Sequence, residues 1–189
     1  MKLLIYGSSD FGKLLKKLVV GSGYEFAGYI DDFNQGPEIL GDYNLIRNNY
    51  SYQKFSIVIA IGSKFLAERT AIIEKIRVDG YGLPNIVHKT AYIASDVDMG
   101  VGCIVMANAI IDYNTTVRDG VVLWPGSIVN HNCTIGQSCH IAPNATVCGF
   151  TTLGKNCFVG AGAVIVDHTE VADNSFVKAN SIYKTGEKP

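Results

Sequence analysis

Residues 127–147 read SIVNHNCTIGQSCHIAPNATV, and within them an aliphatic residue returns every six positions, at Val129, Ile135, Ile141 and Val147. The same step extends backwards through Leu123, Val117, Ile111, Val105, Met99 and Ile93 to Val87, and forwards through Leu153, Val159, Ile165 and Val171 to Val177. Two positions before most of these stops stands a small or β-branched residue, among them Cys103, Ala109, Thr115, Ser127, Cys133, Cys139, Ala145 and Cys157. On an α-helix, residues six apart scatter over three directions and form no common stripe. In an extended strand, i−2 and i share a face, so each pair marks a very short strand facing inward. The Gly, Asn and Asp residues that follow, as in GVG at 100–102, RDG at 118–120, NHN at 130–132 and GKN at 154–156, suit tight bends. A six-residue period of this kind predicts a parallel β-helix, in which three strands make a triangular coil and each coil hydrogen-bonds to the next. The span 87–177 then holds about five coils, roughly 24 Å of stack.

The residues before this stretch carry a different pattern. KLLIYG at 2–7 is an apolar run ending in Gly, the mark of a buried parallel strand, and Phe11, Leu14, Leu15, Leu18 and Val19 follow at helical spacing after Ser8, Ser9 and Asp10 as possible caps. EFAGYIDD at 25–32 and FSIVIAIG at 55–62 read as two more strands, and residues 65–78 as a second helix. Strand and helix alternate, with Gly at strand ends, which predicts a small doubly wound α/β unit over residues 1–83, joined by a short linker around 80–90 to an all-β unit over 84–189. Its ligand crevice belongs at the carboxyl ends of the strands, near residues 7–12, Asp31, Asp32 and Gly62. The loop GSSDFG has neither the GxGxxG spacing nor the GK[ST] of a phosphate loop, so plain turn geometry and ligand binding both stay open.

Composition narrows the class. Net charge is −1 and charged residues make up 17% of the chain without a basic run, so neither nucleic acid nor an anionic membrane has electrostatic support. The N-terminal apolar run meets Gly7 too early for a signal-peptide core and no run approaches a membrane span, so a cytoplasmic location is expected. Five Cys with no CxxC pair suggest neither zinc nor a redox disulfide; Cys103, Cys133, Cys139 and Cys157 take the small inward slot as compact hydrophobes, and Cys148 points outward.

The order of the YG loop, the IDD and AIG strand ends, and hexapeptides carrying NHNCTIG (130–136) and CHIAPNATVCG (139–149) resembles the bacterial nucleotide-sugar acetyltransferases, over nearly the whole chain. That family includes sialic-acid O-acetyltransferases, UDP-4-amino-sugar N-acetyltransferases and the GDP-perosamine N-acetyltransferase. The resemblance implies a Rossmann-like domain that holds the nucleotide of the sugar, a left-handed β-helix that binds acetyl-CoA as co-substrate, and active sites between neighbouring subunits of a homotrimer. It places the general base on His131, acetyl-CoA contacts on His140, Ala161 and Ala179, and nucleotide-sugar contacts on Ser9, Asp10, Phe11, Asp31, Asp32, Gly62 and Phe65. Asn132 stands where some members carry a Glu that raises the basicity of the His, and the chain closes on YKTGEKP without the family's Gly-x-Pro-Ala-Lys segment.

The residues suit that chemistry. Acyl transfer to an amine or hydroxyl needs a group that takes the nucleophile's proton as it attacks the thioester, and His titrates in the useful range. His131 follows the core residue Val129 by two and so falls at a corner, while His140 precedes Ile141 and should point outward; His88 and His168 match no family position. Residues eighteen apart stack in adjacent coils, which puts Asp112 under Asn130 and Tyr113 under His131. Asp112 could thus replace the missing acid or simply join a ladder of corner hydrogen bonds. Gly149, one coil after His131, is the candidate backbone donor to the oxyanion. Trp124 should face outward, towards a subunit contact or a substrate. The sharper rival on the same scaffold is Cys148 as an acyl-carrying nucleophile. A zinc enzyme of the γ-carbonic-anhydrase kind would need a His five before His131, where Gly126 stands, so no metal is expected. Because the IDD and AIG rim most resembles the N-acetyltransferase branch, the resemblance implies N-acetylation of a nucleotide-linked 4-amino-4,6-dideoxy sugar in surface-glycan biosynthesis. The alternatives are O-acetylation of a sialic acid or other sugar and, from another class, a non-catalytic nucleotide-sugar-binding protein.

Overall fold

The computed structural model describes residues 2–184. It divides into two compact units, one running through Ile86 and the other starting at Val87. The division falls three residues after the expected 83, and the chain is still tied into the first unit as it nears that point: the Gly82 carbonyl accepts from the Ile57 N–H at 2.9 Å, and Leu83 is buried in that unit's core.

In the first unit, β1 (Lys2–Tyr6) and the flanking β2 (Glu25–Ile30) and β4 (Phe55–Ile59) are parallel, with β3 (Ile39–Gly41) outside β2, giving the order β3-β2-β1-β4. Leu3, Leu4 and Ile5 are all fully buried, so β1 is covered on both faces as a central parallel strand must be. Helices α1 (Asp10–Gly21) and α3 (Leu66–Val78) bury Leu15, Val19, Ile73 and Ile76. The strands expected at 25–32 and 55–62 stop at Ile30 and Ile59, which frees their last residues for the rim. Two elements escaped the sequence reading: β3, and the one-to-two-turn helix α2 (Tyr43–Asn49), whose one clear signal is Asp42 accepting from the Leu45 N–H at 2.7 Å as N-cap. Ser9 does hold the N-cap position of α1, but its side chain makes no cap bond. The glycines of GSSDFG meet a steric need: Gly7 has φ 106°, and a Cβ on Gly12 would stand 2.1 Å from the Gly7 carbonyl oxygen.

The second unit is the parallel β-helix of about five coils that the hexapeptide period predicts. Its three walls are built of two-residue strands. Wall A holds Asp98–Met99, Thr116–Val117, Thr134–Ile135, Thr152–Leu153 and Glu170–Val171; wall B runs from Ile86–Val87 through Val122–Leu123 and His140–Ile141 to Phe176–Val177; wall C runs from Tyr92–Ile93 through Ile128–Val129 and Thr146–Val147 to Ile182–Tyr183. Each strand pairs with the one a coil away, as Ile128 with Thr146 and Val129 with Val147. The aliphatic stops and their i−2 partners fill the prism. The inward thiols do more than fill space. Cys133 donates to the Cys148 carbonyl at 3.2 Å and Cys157 to the Ala172 carbonyl at 3.1 Å, the same bond to the next coil that Thr115 makes to the Asn130 carbonyl at 2.9 Å.

The bends have one repeated device. The third residue after each stop from Met99 on is left-handed, with φ between 54° and 71°, and is Asn or Gly at most corners: Asn108, Asn114, Asn132, Asn144, Asn156, Asn174 and Asn180, with Gly102, Gly120, Gly126 and Gly162. Asn and Gly tolerate that region, other side chains resist it. Ser138, Phe150 and His168 are the exceptions. Among the described residues no helix is long and apolar enough to cross a membrane. Of the closing YKTGEKP segment, residues 185–189 lie outside the described residues.

Candidate active site

His131 stands, exposed, on the bend from wall C to wall A. The bend is held from the coils on either side: the Asn132 N–H donates to the Tyr113 carbonyl at 2.9 Å, and the Phe150 N–H donates to the His131 carbonyl at 3.2 Å. Imidazole Nδ1 lies 3.0 Å from Asn132 Oδ1. With its proton on Nδ1 the ring donates to that amide oxygen, and the lone pair is left on Nε2, aimed away from the chain's own acceptor. Asn132, at the family's acid position, therefore orients the ring without lending it charge. Asp112 does not replace the acid. Its Oδ1 folds back to accept from the Tyr113 N–H at 2.9 Å, a local turn bond that a short carboxylate makes in preference to reaching the next coil. Tyr113 does stack beneath His131, as the eighteen-residue spacing requires.

Gly149 sits one coil beyond His131, and its lack of a side chain is what admits the ring: a Cβ there would stand 2.8 Å from imidazole Cε1 and 3.2 Å from Nε2. Phe150 meets the imidazole edge to face, with centroids 5.3 Å apart and planes at 84°, and His168 stacks on Phe150 at 4.6 Å and 4°. Cys148 is turned partly outward, but burial, and then the Asp167 carboxylate, push its thiol above the ordinary range. An acyl-carrying nucleophile needs the opposite, so the cysteine route is set aside.

His140 points outward from wall B, yet only 5% of it is exposed, because Trp124 and Phe158 cover it at ring distances of 5.7 and 5.3 Å. An outward side chain in a single strand was expected to be open; an aromatic ladder continued by Phe176 closes over it instead. Trp124 is accordingly half-buried rather than free. Ala161 and Ala179 lie exposed on the bend from wall B to wall C, stacked through the Asn180 N–H to Ala161 carbonyl bond at 2.9 Å. In one copy of the chain, then, His131 and Gly149 occupy one corner of the prism, Ala161 and Ala179 a second, and wall C separates them.

In the first unit, Ser9, Asp10, Phe11, Asp31, Asp32, Gly62 and Phe65 all follow the carboxyl ends of parallel strands. The resemblance puts Asp31 among the nucleotide-sugar contacts, but protein donors already occupy its carboxylate. Oδ2 accepts from the Ser8 hydroxyl and from the Ser8 N–H at 3.1 Å; Oδ1 accepts from the Phe33 N–H at 3.0 Å, the Asn34 N–H at 2.9 Å and the Asn34 side chain at 3.1 Å. Burial pushes this carboxyl up, and those bonds outweigh it and hold it down from 3.8 to about 2. Asp32 accepts from the Tyr6 hydroxyl and from the Tyr43 N–H at 2.9 Å, and keeps a lone pair on each oxygen. Beside them opens a cavity of about 500 Å³ lined by residues 31–36 and 39–42, with Phe33 95% exposed near its mouth. It depends on β3 and α2, and for that reason the sequence reading missed it.

Asp31→Asn is expected to cost roughly 1–3 kcal/mol at neutral pH, because an amide nitrogen would face the Ser8 N–H. The folded-state value of Asp31 lies below the unfolded one, so its contribution is whole above about pH 4 and fades as the pH falls toward about 2. Denaturant melts of both proteins should therefore differ at pH 7 and converge towards pH 2; a constant difference would contradict the assignment.

The comparisons meet this geometry. Residues 2–76 match the family model of the PglD N-terminal domain, and residues 114–149 that of the bacterial transferase hexapeptide. The acetyltransferase domain of PglB from Neisseria gonorrhoeae is 28% identical, with 96% of this chain and 90% of that one covered at a TM-score of 0.90. The chain is an acyltransferase similar to the bacterial nucleotide-sugar acetyltransferases. It carries an α/β unit followed by a hexapeptide β-helix. The same PglB domain in complex with acetyl coenzyme A matches at a TM-score of 0.88 with 28% identity over 95% of this chain and 88% of that one. PerB from Caulobacter crescentus, in complex with CoA and GDP-perosamine, matches at 0.88 with 25% identity over 97% and 88%.

Proposed function

We propose that this acetyltransferase transfers the acetyl group of acetyl-CoA to the 4-amino group of a nucleotide-linked 4-amino-4,6-dideoxy sugar, with His131 as general base, for surface-glycan synthesis in the cytoplasm. The observation that carries the reading is an exposed imidazole at a β-helix corner, oriented through Nδ1 by Asn132 with Nε2 left available, beside a glycine that makes room for it. The acyl acceptor's amine attacks the thioester carbonyl carbon and its proton passes to His131 Nε2. The C–S bond then breaks, and the departing sulfur takes the proton back from the imidazolium, giving the amide and free CoA. No covalent enzyme intermediate is required, since the thioester is already activated and both substrates are held together. The Gly149 N–H is the proposed donor to the oxyanion. The relatives in complex with acetyl coenzyme A, or with CoA and GDP-perosamine, support the two substrate classes. In the first unit Asp31 holds the loop, while Asp32 and the neighbouring cavity take the nucleotide together with Ser9, Asp10, Phe11, Gly62 and Phe65.

The separation of His131 from Ala161 and Ala179 by wall C supports a homotrimer, with each site drawing its base from one subunit and its CoA contacts, including the wall carrying His140, from the next; the β-helix in this reading is left-handed. Thiol release from acetyl-CoA tests the function: UDP-, GDP- or dTDP-linked 4-amino sugars should release CoA. Release with sialic acid alone would shift the reading to O-acetylation, and none with any sugar would favour a binding protein. Complementation tests the assembly. His131→Ala and Ala161→Trp, each inactive alone, should regain up to about a quarter of wild-type activity when refolded together, since about one site in four then pairs two intact halves. No recovery, with mixed oligomers present, would place both halves of the site in one chain.

A further inference from the structure

On the bend from wall C to wall A, the left-handed position is Asn114, then Asn132, on two successive coils; on the next two it is Phe150 (φ 58°) and His168 (φ 54°). Aromatic side chains resist this backbone region more than Asn does. Phe150 is not retained for the core either, since half of it is exposed. Two costly choices on consecutive coils, on the one corner that carries His131, mark something used there.

Phe150 lies between the two histidines along the stack. His168, one coil beyond, backs one face of its ring; His131, one coil before, meets it with the two rings perpendicular. We infer that Phe150 is a positioning residue for His131, which holds the imidazole in place by this T-shaped contact. Ring pairs in that arrangement attract beyond the area they bury. Asn132 fixes the imidazole through Nδ1 on its own coil, and Phe150 confines it from the next. His168 holds Phe150 flat.

The inference rests on His131 as the base, so His131→Ala is assayed beside the Phe150 variants. Phe150→Asn, which places the usual residue in the left-handed position, should melt higher than wild type and yet lose about tenfold in kcat, with KM for acetyl-CoA unchanged. Phe150→Leu should lose as much, and Phe150→Tyr should stay within about twofold of wild type. Wild-type kcat in Phe150→Leu with His131→Ala inactive would overturn this inference alone. A raised KM with unchanged kcat would make Phe150 a ligand contact instead, and a lower melting temperature in Phe150→Asn would make it packing; either overturns it. Full activity in His131→Ala would overturn the base reading itself.

Discussion

His131→Ala should lower kcat by roughly a thousandfold, within the range that a positioned general base supplies. The fold should not notice. The side chain is exposed, its contacts being Asn132 and the Phe150 ring, and the bonds that hold the bend run through the main chain, from Asn132 to Tyr113 and from Phe150 to His131. A change of stability beyond about 0.5 kcal/mol is not expected for such a position. Steady-state thiol release and a thermal melt on the same preparation check both halves. Loss of activity accompanied by loss of the fold would leave no ground for a chemical role, and retained turnover would remove the base.

Gly149→Ala is the second large effect, expected to lower kcat about a hundredfold, since displacing a catalytic group by about 1 Å can cost that much. Gly149 does not occupy the left-handed region, so its backbone accepts Ala; the obstacle is the ring, 2.8 Å away at Cε1. The imidazole is the flexible partner and swings aside, giving up Asn132 Oδ1. The melting temperature should hold, and in the double variant with His131→Ala the Gly149 change should add little, because both act through one ring. A full further loss in the double variant would show that the added methyl acts on something other than the ring, such as the approach of the oxyanion to the Gly149 N–H.

The β-helix was legible because its period is rigid. Each stop from Val105 to Val177 is buried, and every i−2 slot from Cys103 to Thr169 holds a buried small or β-branched side chain. The corner position of His131 followed from that count alone. What the count could not show was which way a corner side chain turns. Asp112 chose its own turn, Asn132 chose the imidazole, and the reading that Asn132 has no charge to give, though right, overlooked that its amide oxygen orients the ring. His140 looked open because alternation says outward, but alternation says nothing of Trp124 and Phe158 closing over it. Asp31 looked like a ligand contact because a carboxylate at a strand end is short of partners in sequence; in three dimensions Ser8, Phe33 and Asn34 saturate it. β3 and α2 were missed because a three-residue strand and a seven-residue helix are too short to carry a period. The left-handed column was visible as Asn and Gly every six residues, and Phe150 and His168 as breaks in it, but the pattern acquires meaning only once φ is known.

The most direct test is a crystal structure with CoA and a nucleotide-linked 4-amino sugar bound together. The account predicts the sugar amine within about 3 Å of His131 Nε2, with the CoA sulfur beside it and the pantetheine arm running along the neighbouring subunit's Ala161 and Ala179. A pantetheine arm bound elsewhere, or an amine beyond hydrogen-bond reach of that imidazole, would contradict it.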